Sequence, residues 1–214
     1  MYRSRKSKVE SRKTNIRRAL LFLLIVFSMT LSAQDFSEDR DLFDAYQAED
    51  MSVWKHYLDS LASNCLLPDV DALPYEYGYC AAVMAEDKDA ARPYVAQFRK
   101  NVASLKDKLP AGHYEMYMSA VYVYELRLKE SIHPIKAMSL AKDAVQKAPK
   151  DPLVLSYYGT CHFYAPKPFG NKKEALEFFK KAEVFFRDSK WQYCWMREAN
   201  TMYIHLCHEK YHLK

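Results

Sequence analysis

From Asp151 onward the chain reads DPLVLSYYGTCHFYAPKPFGNKKEALEFFKKA, and its apolar positions recur at helical spacing on both sides of one loop. Gly159 lies mid-way along the first of these segments. Ala175, Phe179 and Ala182 follow at i, i+4 and i+7 on the second. That spacing predicts two antiparallel helices whose facing stripes carry small residues, so that the backbones approach closely. A hairpin of this kind cannot hide its apolar stripe unaided, so it predicts neighbours of the same build. Trp54, Tyr57, Leu58 and Leu61 form another i, i+3, i+4, i+7 stripe, with Ser52 placed as an N-cap. A shorter helix is expected around Leu42 to Tyr46. Runs that alternate apolar and polar residues are scarce, so eight or nine helices and no sheet are expected.

The same residues carry a resemblance. With Gly159 at the small eighth position, and four extra loop residues around Pro166 to Gly170, the residues Ala175, Phe179 and Ala182 fall at the twentieth, twenty-fourth and twenty-seventh. This pattern resembles the tetratricopeptide repeat, whose unit is 34 residues long. Gly78, Ala90 and Tyr94 read as an upstream copy, with Gln97 where Ala is expected. Ala137, Ala144 and Pro149 fit the second half of a unit, with Ala141 at its aromatic position, and Trp195 and Ala199 open a degenerate fourth. The phase covers residues 70 to 210. The resemblance implies an all-α, α-solenoid architecture of three to four irregular antiparallel helical hairpins. It also implies scaffolding or assembly work on a peptide or protein partner held in a concave groove. Carried over by position, the groove residues are Tyr75 and Tyr79 from the first unit, and Ser156, Thr160, Phe163 and Tyr164 from the later one. Rigid aromatics with a polar tip are favoured anchors for such partners. Simple inter-helix packing also favours Tyr and Phe at these places. A further alternative is a purely structural domain whose groove is filled by its own C-terminal helix, with Trp195 and Tyr203 inserted.

Composition agrees with a helical reading. There are only 4 Gly residues, too few for the turns of a β-rich chain of 214 residues. Pro68, Pro110, Pro149, Pro152, Pro166 and Pro168 mark gaps between helices. Pro93 conflicts with a helix through Tyr94, unless that helix begins near Asp89 and leaves the proline in its first turn.

The first 33 residues stand apart. A basic segment ending at Arg18 precedes an apolar run from Ala19 to Ala33, followed by a polar, acidic stretch. This is the layout of a secretory signal peptide cut after Ala33. The alternative is an uncleaved membrane anchor, but the apolar run is shorter than the ~20 residues of a spanning helix, so cleavage is expected, with no stable membrane span after it. Export to the periplasm or beyond follows, with residues 34–214 as a single domain and 34–68 as its N-terminal helical cap.

The leader also changes the charge picture. The whole chain has 32 Lys and Arg against 27 Asp and Glu. Eight of the bases and one acid lie in residues 1–33, so 24 basic and 26 acidic residues remain, a net of −2. A nucleic-acid partner loses its basis, because such sites need a basic excess on one face.

Chemistry-bearing patterns are few. His208, Glu209 and His212 spell H-E-x-x-H, which on a helix places two His one turn apart for zinc. His205 lies on the same face as a third ligand. A zinc-binding protein or metallohydrolase is therefore the alternative to an interaction module. Against it, the chain stops at Lys214 with no downstream ligand, and a helix in the last ten residues frays. No metal, cofactor or catalytic residue is assigned, and a non-enzyme is expected. The five cysteines, Cys65, Cys80, Cys161, Cys194 and Cys207, cannot all pair within one chain and include no CxxC. Mostly unpaired structural thiols are expected. His162, alone among apolar neighbours, reads as a packed histidine.

Overall fold

The structure is a computed structural model. It describes residues 39–48, 50–64, 69–130 and 133–212. The expected signal peptide, the stretch 34–38 and Cys65 lie outside these residues. Among the described residues the structure is all helix and turn, with no strand. The helices are α1 (39–48), α2 (Met51–Asn64), α3 (Asp69–Glu86), α4 (Lys88–Ser104), α5 (His113–Arg127), α6 (Pro134–Lys147), α7 (Pro152–Tyr164), α8 (Lys172–Phe186) and α9 (Trp195–Glu209). No helix among them is long and apolar enough to cross a membrane.

Local chemistry sets several of the helix starts. The carboxylate of Asp87 accepts from the N–H groups of Asp89 and Ala90, that of Asp151 from Leu153 and Val154, and the Asn171 side chain from Lys173 and Glu174. Each satisfies amide donors that a first helical turn leaves without partners. Pro134 and Pro152 open α6 and α7 at positions where no amide donor is needed.

Packing follows chain order. Three hairpins, α3–α4, α5–α6 and α7–α8, are joined by contacts of α4 with α5, α6 with α7, and α8 with α9. The first helix of each hairpin also touches the next such helix: α3 meets α5, α5 meets α7, and α7 meets α9. These four line one inner side, while α4, α6 and α8 form the outer layer. The result is a solenoid-like stack of helical hairpins. Its inner and outer helices differ as their positions demand. Nine of the thirteen residues of α7 are buried, because α5, α6, α8 and α9 all pack on it. The outer α8 buries one stripe, Ala175, Leu176, Phe179, Ala182 and Phe186.

The small-residue contact expected within the last hairpin is present. A Cβ placed on Gly159 would come within 2.6 Å of the Phe179 ring, so only glycine admits that ring. Ala137, Ala141 and Ala144 are likewise the buried stripe of α6.

Two local expectations are corrected. On α4 the buried stripe is Ala91, Val95, Phe98 and Val102, while Ala90, Tyr94 and Gln97 face out. The apolar register therefore runs one residue later than the spacing from Gly78 implied. Pro93 is also past the first turn, since α4 begins at Lys88. It is tolerated on the exposed side, where water can reach the carbonyl it leaves unbonded.

Candidate inner-face site

The inner side has a closed end and a mouth. At the closed end the last inner helix returns to the first. The Trp195 indole N–H, at the start of α9, donates to the Pro74 carbonyl in α3 at 3.2 Å. Lys190, just before α9, pairs with Asp71 at 2.5 Å. Gly78 makes the close approach possible, because a Cβ there would lie within 2.7 Å of both the Trp54 and Trp195 rings. These two indoles meet edge to face at 5.2 Å, and the Trp54 N–H donates to the Leu42 carbonyl at 2.9 Å.

A layer of phenols from three inner helices fills the space beneath. Tyr77 of α3 stacks on Tyr124 of α5 at 5.9 Å and meets Tyr157 of α7 edge-on at 5.9 Å. The Tyr124 hydroxyl donates to the Tyr77 carbonyl at 2.9 Å, and the Tyr157 and Ser119 hydroxyls bond at 2.8 Å. Burial drives the phenols of Tyr77, Tyr124 and Tyr157 far above their ordinary range, so they stay neutral. Burial likewise pushes the Cys161 thiol up to about 12, despite a hydrogen bond from Tyr157 that opposes the shift, so it is not a nucleophile at neutral pH.

Helix α1 packs against α2 and α9. Leu42 and Ala45 are buried, while Arg40, Asp41, Asp44 and Gln47 face solvent. The Tyr46 ring packs on Trp195 at 5.5 Å. Burial first, and then the nearby Tyr164, raise the Tyr46 phenol above its usual range, while Tyr203 and Arg127 pull the other way. Tyr77 of α3 also feels Tyr46. Tyr46 thus packs on α9 and lies within electrostatic reach of charged or phenolic groups of α3, α5 and α7. The Gln47 amide adds a contact to Met202 Sδ at 3.4 Å. Within the expected N-terminal cap, α2 packs on α3 of the first hairpin, and α1 in addition touches α9.

The six groove residues named from sequence take different places. Tyr75 is buried against Tyr57 of α2, with ring centroids 5.1 Å apart, and Tyr79 is buried against Tyr94 of α4 at 4.8 Å. Ser156 is buried, and its carbonyl accepts from the hydroxyl of half-buried Thr160 at 3.0 Å. Phe163 is buried among Tyr203 at 5.2 Å, Tyr211 at 5.7 Å and Phe179 at 6.4 Å. Only Tyr164 is open, at 66% exposure. Its hydroxyl is nevertheless bonded to that of Tyr203 at 3.1 Å, and its ring meets those of Phe163 and Tyr203 edge-on at 5.1 and 5.8 Å. The structure therefore brings Phe163 and Tyr164 together and turns Tyr75 and Tyr79 towards other helices. Sequence reasoning missed Tyr46 and Tyr77. The apolar stripe of α1 marks Tyr46 as packed, but nothing local says against what.

The remaining candidates resolve as follows. Helix α9 ends at Glu209, and His212 lies beyond it with φ 51°, so H-E-x-x-H is not a one-turn helical pair. Among the described residues no three His, Cys, Asp or Glu side chains are gathered to hold a metal. No disulfide joins the described cysteines, Cys80, Cys161, Cys194 and Cys207. A cleft of about 260 Å³ lies where α3, α5 and α7 begin. Its polar groups are engaged with one another. His113 Nε2 bonds Asp151 at 2.9 Å, and Asp71 pairs with Lys190. Ser189 donates to the Phe186 carbonyl and accepts from the Trp191 N–H, both at 3.1 Å. The Asp151 carboxyl is raised by burial, but His113 and the Leu153 and Val154 amides outweigh this and hold it below the usual carboxylate range. This pairing ties the start of α5 to the start of α7.

No family model, curated protein or solved structure matches this chain.

Proposed function

We propose that the chain is an exported, non-enzymatic interaction module that binds a peptide or protein partner at the mouth of its inner face. The tetratricopeptide-like phase of its sequence and its leader segment motivate this reading. The observation that carries it is the state of Tyr164, an aromatic side chain two-thirds exposed yet fixed by its hydroxyl and two ring contacts. An immobilised, exposed aromatic binds a partner with little loss of rotamer freedom. Leu126 and Arg127, at the end of α5, add an exposed apolar and a cationic group. Of the other groove residues, Thr160 retains access, while Tyr75, Tyr79, Ser156 and Phe163 support the wall.

The test is partner recovery from the envelope fraction of the source cell. Wild type is compared with Tyr164→Ala, and with Ile135→Ala as a control at an exposed outer-layer residue. A partner lost with Tyr164→Ala and kept with Ile135→Ala supports the reading. Identical recovery by all three chains refutes it.

A further inference from the structure

We infer that one end of the stack, formed by the α5–α6 and α7–α8 turns, docks on an anionic lipid surface. This goes beyond the partner reading above. The residues that test it, Ile135, Lys167, Phe169 and Lys173, are not those assigned to the partner.

The two turns lie side by side. Helices α5 and α7 pack on each other as neighbouring inner helices, and α6 packs on both. Each of α5 and α7 is followed by a helix that returns along it, so their last turns point the same way. Arg127 of one turn and Tyr164 of the other both lie within electrostatic reach of the Tyr46 phenol.

Both turns combine apolar tips with cations. On the first, Leu126 is 38% exposed and Ile135 70%. On the second, Tyr164 is 66% exposed and Phe169 40%. Beside them Arg127, Lys129, Lys167 and Lys173 face solvent. Residues 126–130, 133–136 and 164–174 hold six bases, these four with Lys136 and Lys172, against the two acids Glu130 and Glu174, a net of +4. The acids are themselves engaged: Arg92 pairs with Glu130, and Glu174 lies 3.3 Å from His162. The overall charge of −2 for residues 34–214 therefore conceals a local basic excess. At the opposite end, the described turns 105–112 and 148–151 carry three bases (Lys106, Lys108, Lys150) and two acids (Asp107, Asp151), and none of the large exposed apolar side chains.

The combination favours a lipid surface over other anions. A nucleic acid or sulfated glycan uses the cations, but aliphatic Leu126 and Ile135 offer it nothing to stack on or bond. At a bilayer the same tips enter the headgroup layer, the Tyr164 hydroxyl stays at the interface, and flexible lysines reach lipid phosphates. An exported chain, as the leader implies, meets such surfaces on its way.

The experiment uses residues 34–214, because the leader would add lipid affinity of its own and Arg40–Lys214 form a compact unit by themselves. Co-sedimentation is measured with vesicles of phosphatidylcholine alone and of phosphatidylcholine mixed with phosphatidylglycerol. The protein should bind the mixed vesicles, not the neutral ones, and rising salt should weaken binding. Ile135→Ser/Phe169→Ser and Lys167→Glu/Lys173→Glu should each lower the partition coefficient about ten-fold or more. Lys106→Glu/Lys108→Glu, at the opposite end, makes the same change in net charge and should leave it unaltered. All these positions are exposed, and circular dichroism checks the fold of each variant. Failure of the wild type to bind mixed vesicles, or equal binding to neutral ones, would overturn the inference. So would equal weakening by the Lys106/Lys108 variant. Binding to heparin together with vesicle binding that the serine variant retains would overturn it in favour of a polyanion site. Vesicle binding as expected, combined with Tyr164-independent partner recovery, would strike only the function proposed above.

Discussion

Trp195 and Pro74 are 121 residues apart in the chain, yet the indole of one donates to the carbonyl of the other at 3.2 Å. This bond fastens the last inner helix to the first. Trp195→Phe keeps most of the ring and leaves the Pro74 carbonyl without its donor. We expect a loss of about 1–2 kcal/mol, read as a drop in Tm of roughly 2–4 °C per kcal/mol. An unchanged melting curve would mean that the ring contacts alone secure the junction.

Gly78→Ala should be worse than its small size suggests. The added methyl would fall within 2.7 Å of two buried indoles, neither of which has room to yield. Overpacking of this kind costs about 1–3 kcal/mol. Ala→Gly at exposed Ala90 is the control for general handling, and chemical denaturation compares the two.

Asp151 serves two groups at once, the amides opening α7 and the His113 imidazole. Asp151→Ala removes both, and we expect to lose about 1–2 kcal/mol for the cap and a similar sum, about 1–3 kcal/mol, for the orphaned buried histidine. Asp151→Asn keeps a good capping group and should cost less than Asp151→Ala. The two variants, melted side by side, separate capping from bridging. Equal losses would mean that the cap adds nothing and that the bridge to His113 carries the whole effect.

His162 gives a pH signature. Its ring is buried between Tyr158 at 4.6 Å and Phe178 at 5.9 Å, and neither nitrogen makes a hydrogen bond. Glu174 Oε2 approaches Nδ1 to 3.3 Å without the geometry of a bond. Burial holds the imidazole below its ordinary range, with the Glu174 charge opposing more weakly. The unfolded chain therefore binds this proton more readily than the folded one. The stabilisation is complete above the unfolded value near 6.5 and declines as pH falls below it. Wild type should lose Tm between pH 7.5 and 5.5, and His162→Phe should flatten that slope. A slope unchanged in His162→Phe would place the titration elsewhere.

What the sequence disclosed, and what it hid, divides by range. The stripe Ala175, Phe179, Ala182 was legible because one face of α8 alone is buried, so periodicity reports it directly. On α4, Ala90 and Ala91 are adjacent, as are Tyr94 and Val95, and either register offers an apolar stripe. Only Phe98 and Val102 break the tie, and they break it towards the later register. Tyr75 and Tyr79 show a different limit. Helical spacing tells that an aromatic packs, but the arrangement of neighbours tells against what, and α2 and α4 claim these two. The insertion of Trp195 and Tyr203 was legible as an alternative. The seating of α1 was not, because it depends on contacts between segments roughly 150 residues apart, such as Gln47 with Met202.

Stacked repeats can ordinarily be lengthened by adding units at either end, since each touches only its neighbours. The junction at Pro74 removes that freedom here. A fourth hairpin spliced in before α9 would carry Trp195 away from its carbonyl and leave the notch at Gly78 facing a gap. The number of hairpins between Pro74 and Trp195 is thus fixed by geometry.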